Sequence, residues 1–120
     1  EKSNINKKLK KGKIPIDKKI DFHGMSVLDA EELFSNSIIS LYNRKKRCLL
    51  FITGKRTHKN NKENIPSVPK LYYGKIREGF FSWIKKTELQ KYILSVEQAG
   101  IEYGADGAFF VYLRKKKPNL

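Results

Sequence analysis

Apolar and polar residues alternate imperfectly from Ile14 to Phe22, with Ile14, Ile16, Ile20 and Phe22 as the apolar set. This period of two predicts a first strand that ends at His23-Gly24. Ser26 stands where a helix N-cap belongs, with Asp29 three residues on as its capping-box partner. Val27, Ala30, Leu33, Phe34, Ile38, Leu41 and Tyr42 then recur at steps of three and four, one apolar face of a helix. Acids Asp29, Glu31 and Glu32 open that helix and the bases from Arg44 to Arg47 close it, which suits the macrodipole at both ends. Cys48 to Ile52 is a continuous apolar run bounded by Thr53-Gly54, the pattern of a strand buried on both faces as in a parallel βαβ unit.

Residues 55–69 are polar, rich in Asn and Lys, and contain Pro66 and Pro69, so they read as a long loop. Tyr72, Ile76, Phe80, Trp83 and Ile84 mark a second amphipathic helix that tolerates Gly74 and Gly79. Ile93 to Val96 reads as a third strand and Gly107 to Leu113 as a fourth, joined by a flexible turn from Gly100 to Asp106. The order βαβαββ predicts an α/β two-layer sandwich: a four-stranded mixed sheet in one layer and two helices in the other. No internal repeat is visible.

At 120 residues the chain has the length of one ordinary domain. Charge changes the picture more than length does: 26 Lys plus Arg against 12 Asp plus Glu leave a net charge of +14. That excess suits a polyanionic partner and says nothing about fold. It falls in blocks. Residues 1–19 hold eight lysines, and the segment up to Lys13 has neither helical nor strand period, so 1–17 reads as a basic, flexible arm before a domain at 18–117. A second block of eight bases without an acid runs from Arg44 to Lys62, and Arg114 to Lys117 forms a third. Lysines outnumber arginines 21 to 5, which favours diffuse attraction to phosphate over bidentate reading of bases. A membrane surface is the poorer partner: no segment pairs a basic face with an exposed apolar one, and no apolar run approaches the roughly 18–20 residues of a membrane span. The single cysteine, Cys48, has no disulfide partner within the chain and sits in an apolar run, so a reducing, cytoplasmic setting is expected.

Three constellations carry candidate chemistry. Asp21-Phe22-His23-Gly24 puts a carboxylate and an imidazole two residues apart at the end of a strand, on one face, with a glycine exit. A structural histidine uses the same pattern. Thr53-Gly54-Lys55-Arg56-Thr57-His58 follows the second strand, where ligands of open α/β sheets bind, and two adjacent parallel strands bring it beside His23. It is not a Walker A loop, because no glycine lies five residues before Gly54; a solvated basic turn is its plainer reading. Tyr103-Gly104-Ala105-Asp106-Gly107 lets backbone N–H groups approach a phosphate, and equally serves as a hairpin connection. Phe109, Tyr112 and Arg114 interleave aromatic and basic character, but alternate strand positions face a core, as Phe109 and Phe110 are expected to do. Tyr72, Phe80 and Trp83 are expected in the core, and Cys48 is read as a buried structural thiol.

In order and spacing these segments resemble the Smr domain, the small MutS-related nuclease module. The hallmarks are an aspartate–leucine–histidine–glycine box, a threonine–glycine–lysine–glycine loop with a following histidine, and a glycine-rich box before a last apolar strand. They stand here as Asp21 to Gly24, as Thr53 to Arg56 with His58, and as Gly104 to Gly107 followed by Ala108 to Arg114, a resemblance over about residues 18–116. Phe22 replaces the leucine, Arg56 a glycine, and Tyr103 a usual histidine.

The resemblance implies a two-layer sandwich like the C-terminal domain of bacterial translation initiation factor three. It implies endonuclease activity, as nicking or cleavage of RNA or DNA, tied in some members to stalled ribosomes. In that reading His23 is the general base on a water or a ribose 2′-hydroxyl, oriented by Asp21, and His58 the general acid. Lys55 and Arg56 hold the phosphate, with Gly54, Gly104, Gly107 and Arg114 as further nucleic-acid contacts. No metal is required, since no dense carboxylate cluster is present; one divalent ion at Asp21 stays open. The alternative is a non-catalytic RNA- or ribosome-binding module, which the loss of histidine at Tyr103 favours.

Overall fold

In the computed structural model, residues 14–54, 74–103 and 107–118 are described. Residues 1–13 of the expected arm 1–17 and the loop over 55–69 lie outside the described residues. Four strands, β1 (Lys18–Asp21), β2 (Cys48–Ile52), β3 (Ile93–Gln98) and β4 (Ala108–Leu113), form one sheet in the order β1-β2-β4-β3. β1 and β2 are parallel, joined through helix α1 (Val27–Asn43) as a βαβ unit. β4 runs antiparallel to both β2 and β3, so the sheet is mixed, as the pattern predicts. Helix α2 (Lys75–Trp83) packs beside α1 on the same side of the sheet, which gives the two-layer α/β sandwich.

α1 forms where its sequence signals place it. The Ser26 hydroxyl accepts the Asp29 N–H at 3.1 Å, satisfying one of the orphan donors of the first turn. Its buried positions are Ala30, Phe34, Ile38 and Leu41. The C-terminus departs from the expectation of bases inside the last turn: none lies there, and the helix stops because Lys45 takes φ 64°. The N–H groups of Lys45 and Lys46 then return to Tyr42 O and Leu41 O, at 3.0 and 2.9 Å, which is a Schellman ending.

Aromatic side chains fill the space between helices and sheet. Phe34 lies 4.9 Å from Phe51 and 5.5 Å from Phe80, and Phe80 stacks on Phe109 at 4.9 Å. Phe34, Phe51 and Phe80 are fully buried, and full burial of such a side chain contributes about 1.5–3 kcal/mol. Gly79 of α2 is there for space: a Cβ would sit 2.7 Å from the Trp83 ring. Lys86 bridges to Glu31 across the helical layer.

Among the described residues no helix covers the opposite sheet face, yet Cys48, Leu50, Ala108 and Tyr112 on it are buried. Burial pushes the Cys48 thiol up to about 11, partly offset by a hydrogen bond with Tyr112. The Tyr112 phenol is raised well above its ordinary range, first by burial and then by Cys48. The first strand is shorter than its apolar alternation suggested, starting at Lys18 instead of Ile14. The preceding residues are tied to the fold all the same. Asp17 N donates to Cys48 O at 2.8 Å, its carboxylate accepts the N–H groups of Arg47 and Cys48 at 2.8 and 3.0 Å, and Ile14 packs against Cys48 and Tyr112.

Candidate functional site

The carboxyl ends of β1 and β2 and the start of β4 meet at one end of the sheet. Phe22 N donates to Ile52 O at 3.0 Å, which carries the parallel pairing one residue beyond β1. Thr53 N and Gly54 N both donate to Gly107 O, at 2.7 and 3.2 Å. The buried Thr53 hydroxyl reaches the same carbonyl at 3.2 Å and Gly54 O at 2.9 Å. All three sequence constellations are thereby fastened together, although they come from positions more than 80 residues apart.

β1 ends at Asp21, so His23 stands in a turn, not on the strand that its spacing implied. Met25 N donates to Phe22 O at 3.0 Å to close that turn, and Gly24 supplies the positive φ of 79° at its third position. The Asp21 carboxylate accepts the main-chain N–H of His23 at 2.9 Å. The acid therefore sets the backbone that presents the imidazole. Exposure still alternates: Asp21 and His23 are exposed, while Phe22 between them is fully buried, stacked on Phe51 at 5.6 Å and edge-on to Trp83 at 6.0 Å. A buried aromatic anchor flanked by two solvent-facing polar groups holds both at the rim. Gly54, with φ 83°, is the second left-handed position at this rim and directs the chain away from β2.

Lys55, Arg56, His58 and Gly104 lie outside the described residues. Gly107 is at the rim, where its carbonyl is engaged by Thr53 and Gly54. Tyr103 is 39% exposed with its ring 5.4 Å from Phe110, close to the same end. Arg114 stands away from the rim. Leu113 N donates to Arg47 O and Arg114 N to Tyr92 O, both at 2.8 Å, which places Arg114 at the far end of the sheet. β4 enters at the rim and runs antiparallel to β2, so its last residue is about 20 Å from its first neighbour at the site, at about 3.3 Å per residue. Phe109 is buried as expected and Phe110 is half-buried.

Sequence reading missed two features. The Thr53 side chain is the stitch between motifs, a role no local pattern signals. The basic run from Arg44 is split by β2, with Arg44 to Arg47 before the strand and the remaining bases after it. Among the described residues no three of His, Cys, Asp and Glu gather closely enough to hold a metal ion. Among the same residues no helix is long and apolar enough to cross a membrane.

The family model of the Smr domain matches residues 20–114. Two solved structures share the architecture. The stand-alone small MutS-related protein YdaL from Escherichia coli superposes with a TM-score of 0.68 at 21% identity, covering 94% of this chain and 76% of its own. The Smr domain of Thermus thermophilus MutS2 gives a TM-score of 0.59 at 18% identity, covering 81% of this chain and 98% of its own. No curated protein matches the chain significantly.

Proposed function

Because this chain belongs to the Smr domain family, a family known for nuclease activity, we propose that it is an endonuclease cleaving phosphodiester bonds of RNA or DNA. The observation that carries this reading is the convergence of the Asp21–Gly24 turn, the Thr53-Gly54 corner and Gly107 on one rim of the sheet. A charge of +14 supplies the attraction to a polyanionic substrate.

His23 takes the proton from a water or a ribose 2′-hydroxyl as that oxygen attacks phosphorus. Asp21 fixes the turn and supports the imidazolium that forms. The ester P–O bond breaks, and His58 returns a proton to the leaving oxygen. Lys55 and Arg56 hold the phosphate and offset the charge growing on its oxygens. No metal is obligatory in this scheme, and one divalent ion at Asp21 is its single metal variant. RNA, including ribosome-bound RNA, and DNA are both substrates this scheme admits, in the cytoplasm.

Tyr103 favours a second reading, a non-catalytic RNA- or ribosome-binding module, because it replaces a proton-carrying histidine with an exposed aromatic. Matched single-stranded RNA, plasmid DNA and branched DNA, incubated with and without chelator, separate the two. Cleavage of any one that His23→Ala abolishes supports the nuclease. RNA binding without cleavage gives the module. Loss of cleavage in chelator alone would make the metal obligatory.

A further inference from the structure

The end of the sheet remote from the rim gathers four chain segments: the exit of α1, the entry to β2, the entry to β3 and the exit from β4. Arg47 Nε donates to Leu113 O at 2.9 Å, Arg114 Nε to Gln90 O at 3.2 Å and Lys116 Nζ to Asn43 Oδ1 at 3.3 Å. Residues 44–47, Lys91 and residues 114–117 bring nine bases to this one end. Of the acids, Asp17 is hydrogen-bonded into this end and Glu88 precedes Lys91 in sequence. One carboxylate oxygen of Asp17 already accepts the N–H groups of Arg47 and Cys48. Arg44, Lys45, Lys91, Arg114, Lys115 and Lys117 are exposed.

We propose that this basic end is a second docking surface for the phosphodiester backbone of the same nucleic acid that the rim engages. The inference rests on the reading of nucleic acid as the substrate. Three observations carry it. Bases distant in sequence are held at one end, and the bonds of Arg114 and Lys116 run to a carbonyl and an amide, which do not neutralise their charge. Lysine dominates, which suits backbone phosphate over base edges. The rigid spacing along β2, from Arg47 to Gly54, is about 23 Å at about 3.3 Å per residue, so a stiff duplex must be about seven base pairs long to span it, at about 3.4 Å each. The surface thus acts at a distance from the reacting bond, as an anchor that sets where along a substrate the rim falls.

The test compares the full chain with the triple variant Arg44→Gln, Lys115→Gln, Lys117→Gln, after matched thermal melts establish that both are folded. Binding to DNA and RNA duplexes of about five and about 20 base pairs is measured over a series of salt concentrations. On the long duplexes the variant's plot of log affinity against log salt should flatten by about 0.9 for each phosphate it no longer neutralises, up to about 2.7 in all. Wild type should gain more affinity than the variant on going from short to long duplex, because only the long one reaches both ends. Flattening with RNA alone, or DNA alone, identifies which backbone is held. Unchanged slope and unchanged length gain overturn the proposal. Loss of binding to anionic phospholipid vesicles with unchanged duplex slope assigns the surface to a membrane and also overturns it. His23→Ala should keep the wild-type slope. A wild type that never cleaves but shows the flattening sinks the nuclease reading and leaves the second surface standing.

Discussion

Asp21 meets His23 through the main chain, and that detail separates two substitutions that would otherwise look alike. Asn at position 21 keeps a side-chain oxygen able to accept the His23 N–H, so Asp21→Asn should preserve the turn while removing the charge that supports an imidazolium. Asp21→Ala removes both. Cleavage should therefore fall in both variants, with substrate binding kept in Asp21→Asn and weakened in Asp21→Ala. His23→Ala should lower the cleavage rate by about 10²–10⁴-fold with the fold intact, and single-turnover kinetics beside a thermal melt check this; a wild-type rate would remove His23 from the chemistry. Cys48 gives a second residue-scale expectation. Its thiol is raised from 9.0 to about 11 by burial, so below pH 9 it is protonated in both folded and unfolded chains and stability is unaffected. Between pH 9 and 11 the unfolded chain loses the proton first, and stability falls by about 1.4 kcal/mol per pH unit, on the order of 2–3 kcal/mol in total. Urea midpoints at pH 8 and 10.5 should show this loss in wild type and a smaller one in Cys48→Ala.

Elements were legible where two independent signals agreed. α1 has an apolar stripe, a cap that forms its hydrogen bond and a strand-forming run beyond it, and its first residue follows Ser26 as the pattern predicts. β1 has only alternation, and alternation cannot tell a paired strand from the segment leading to one, which here bends at Ile14 and Asp17. The site was half legible for a related reason. Parallel β1 and β2 bring their carboxyl ends together, so the meeting of His23 with the Thr53 corner follows from topology alone. Arg114 follows Gly107 closely in sequence yet stands a full strand from the rim, because β4 runs away from it antiparallel to β2. Gly79 tests the packing at this scale. In an open helix glycine-to-alanine gains about 1 kcal/mol, but here the new Cβ would lie 2.7 Å from a Trp83 ring that is 3% exposed. Gly79→Ala should instead destabilise by about 1–3 kcal/mol, measurable by urea denaturation; a stabilised variant would mean the ring yields freely. Leu50, at 1% exposure on central β2, faces away from the helices. Leu50→Asp should abolish cooperative folding, since an unpaired charge would enter a buried site, and a normal melt would contradict the burial of that face.

At the scale of the whole molecule the charge divides by sequence into separable contributions: the segment 1–13, the bases that follow Gly54, and those at the remote end of the sheet. The second block, continuous in sequence from Arg44 to Lys62, is cut in two by β2, so Arg44 to Arg47 fall at the remote end of the sheet. Six lysines fall within residues 1–13, before the first described residue. A segment with no period of its own adds to affinity through counterion release without ordering the reacting groups. Deleting 1–13 should therefore flatten the dependence of log affinity on log salt, by about 0.7 per phosphate contact on single strands and about 0.9 on duplex. At low salt and saturating substrate the cleavage rate should stay at the wild-type value, because the buried Phe22 and the Gly24 turn hold Asp21 and His23 in place. Combined with Arg44→Gln, Lys115→Gln and Lys117→Gln, the deletion should give additive flattening, as expected for contacts that share no partner. A deletion that lowers the saturated rate would place part of the segment at the rim during the reaction. Flattening that is not additive would mean that the segment and the remote end grip the same phosphates.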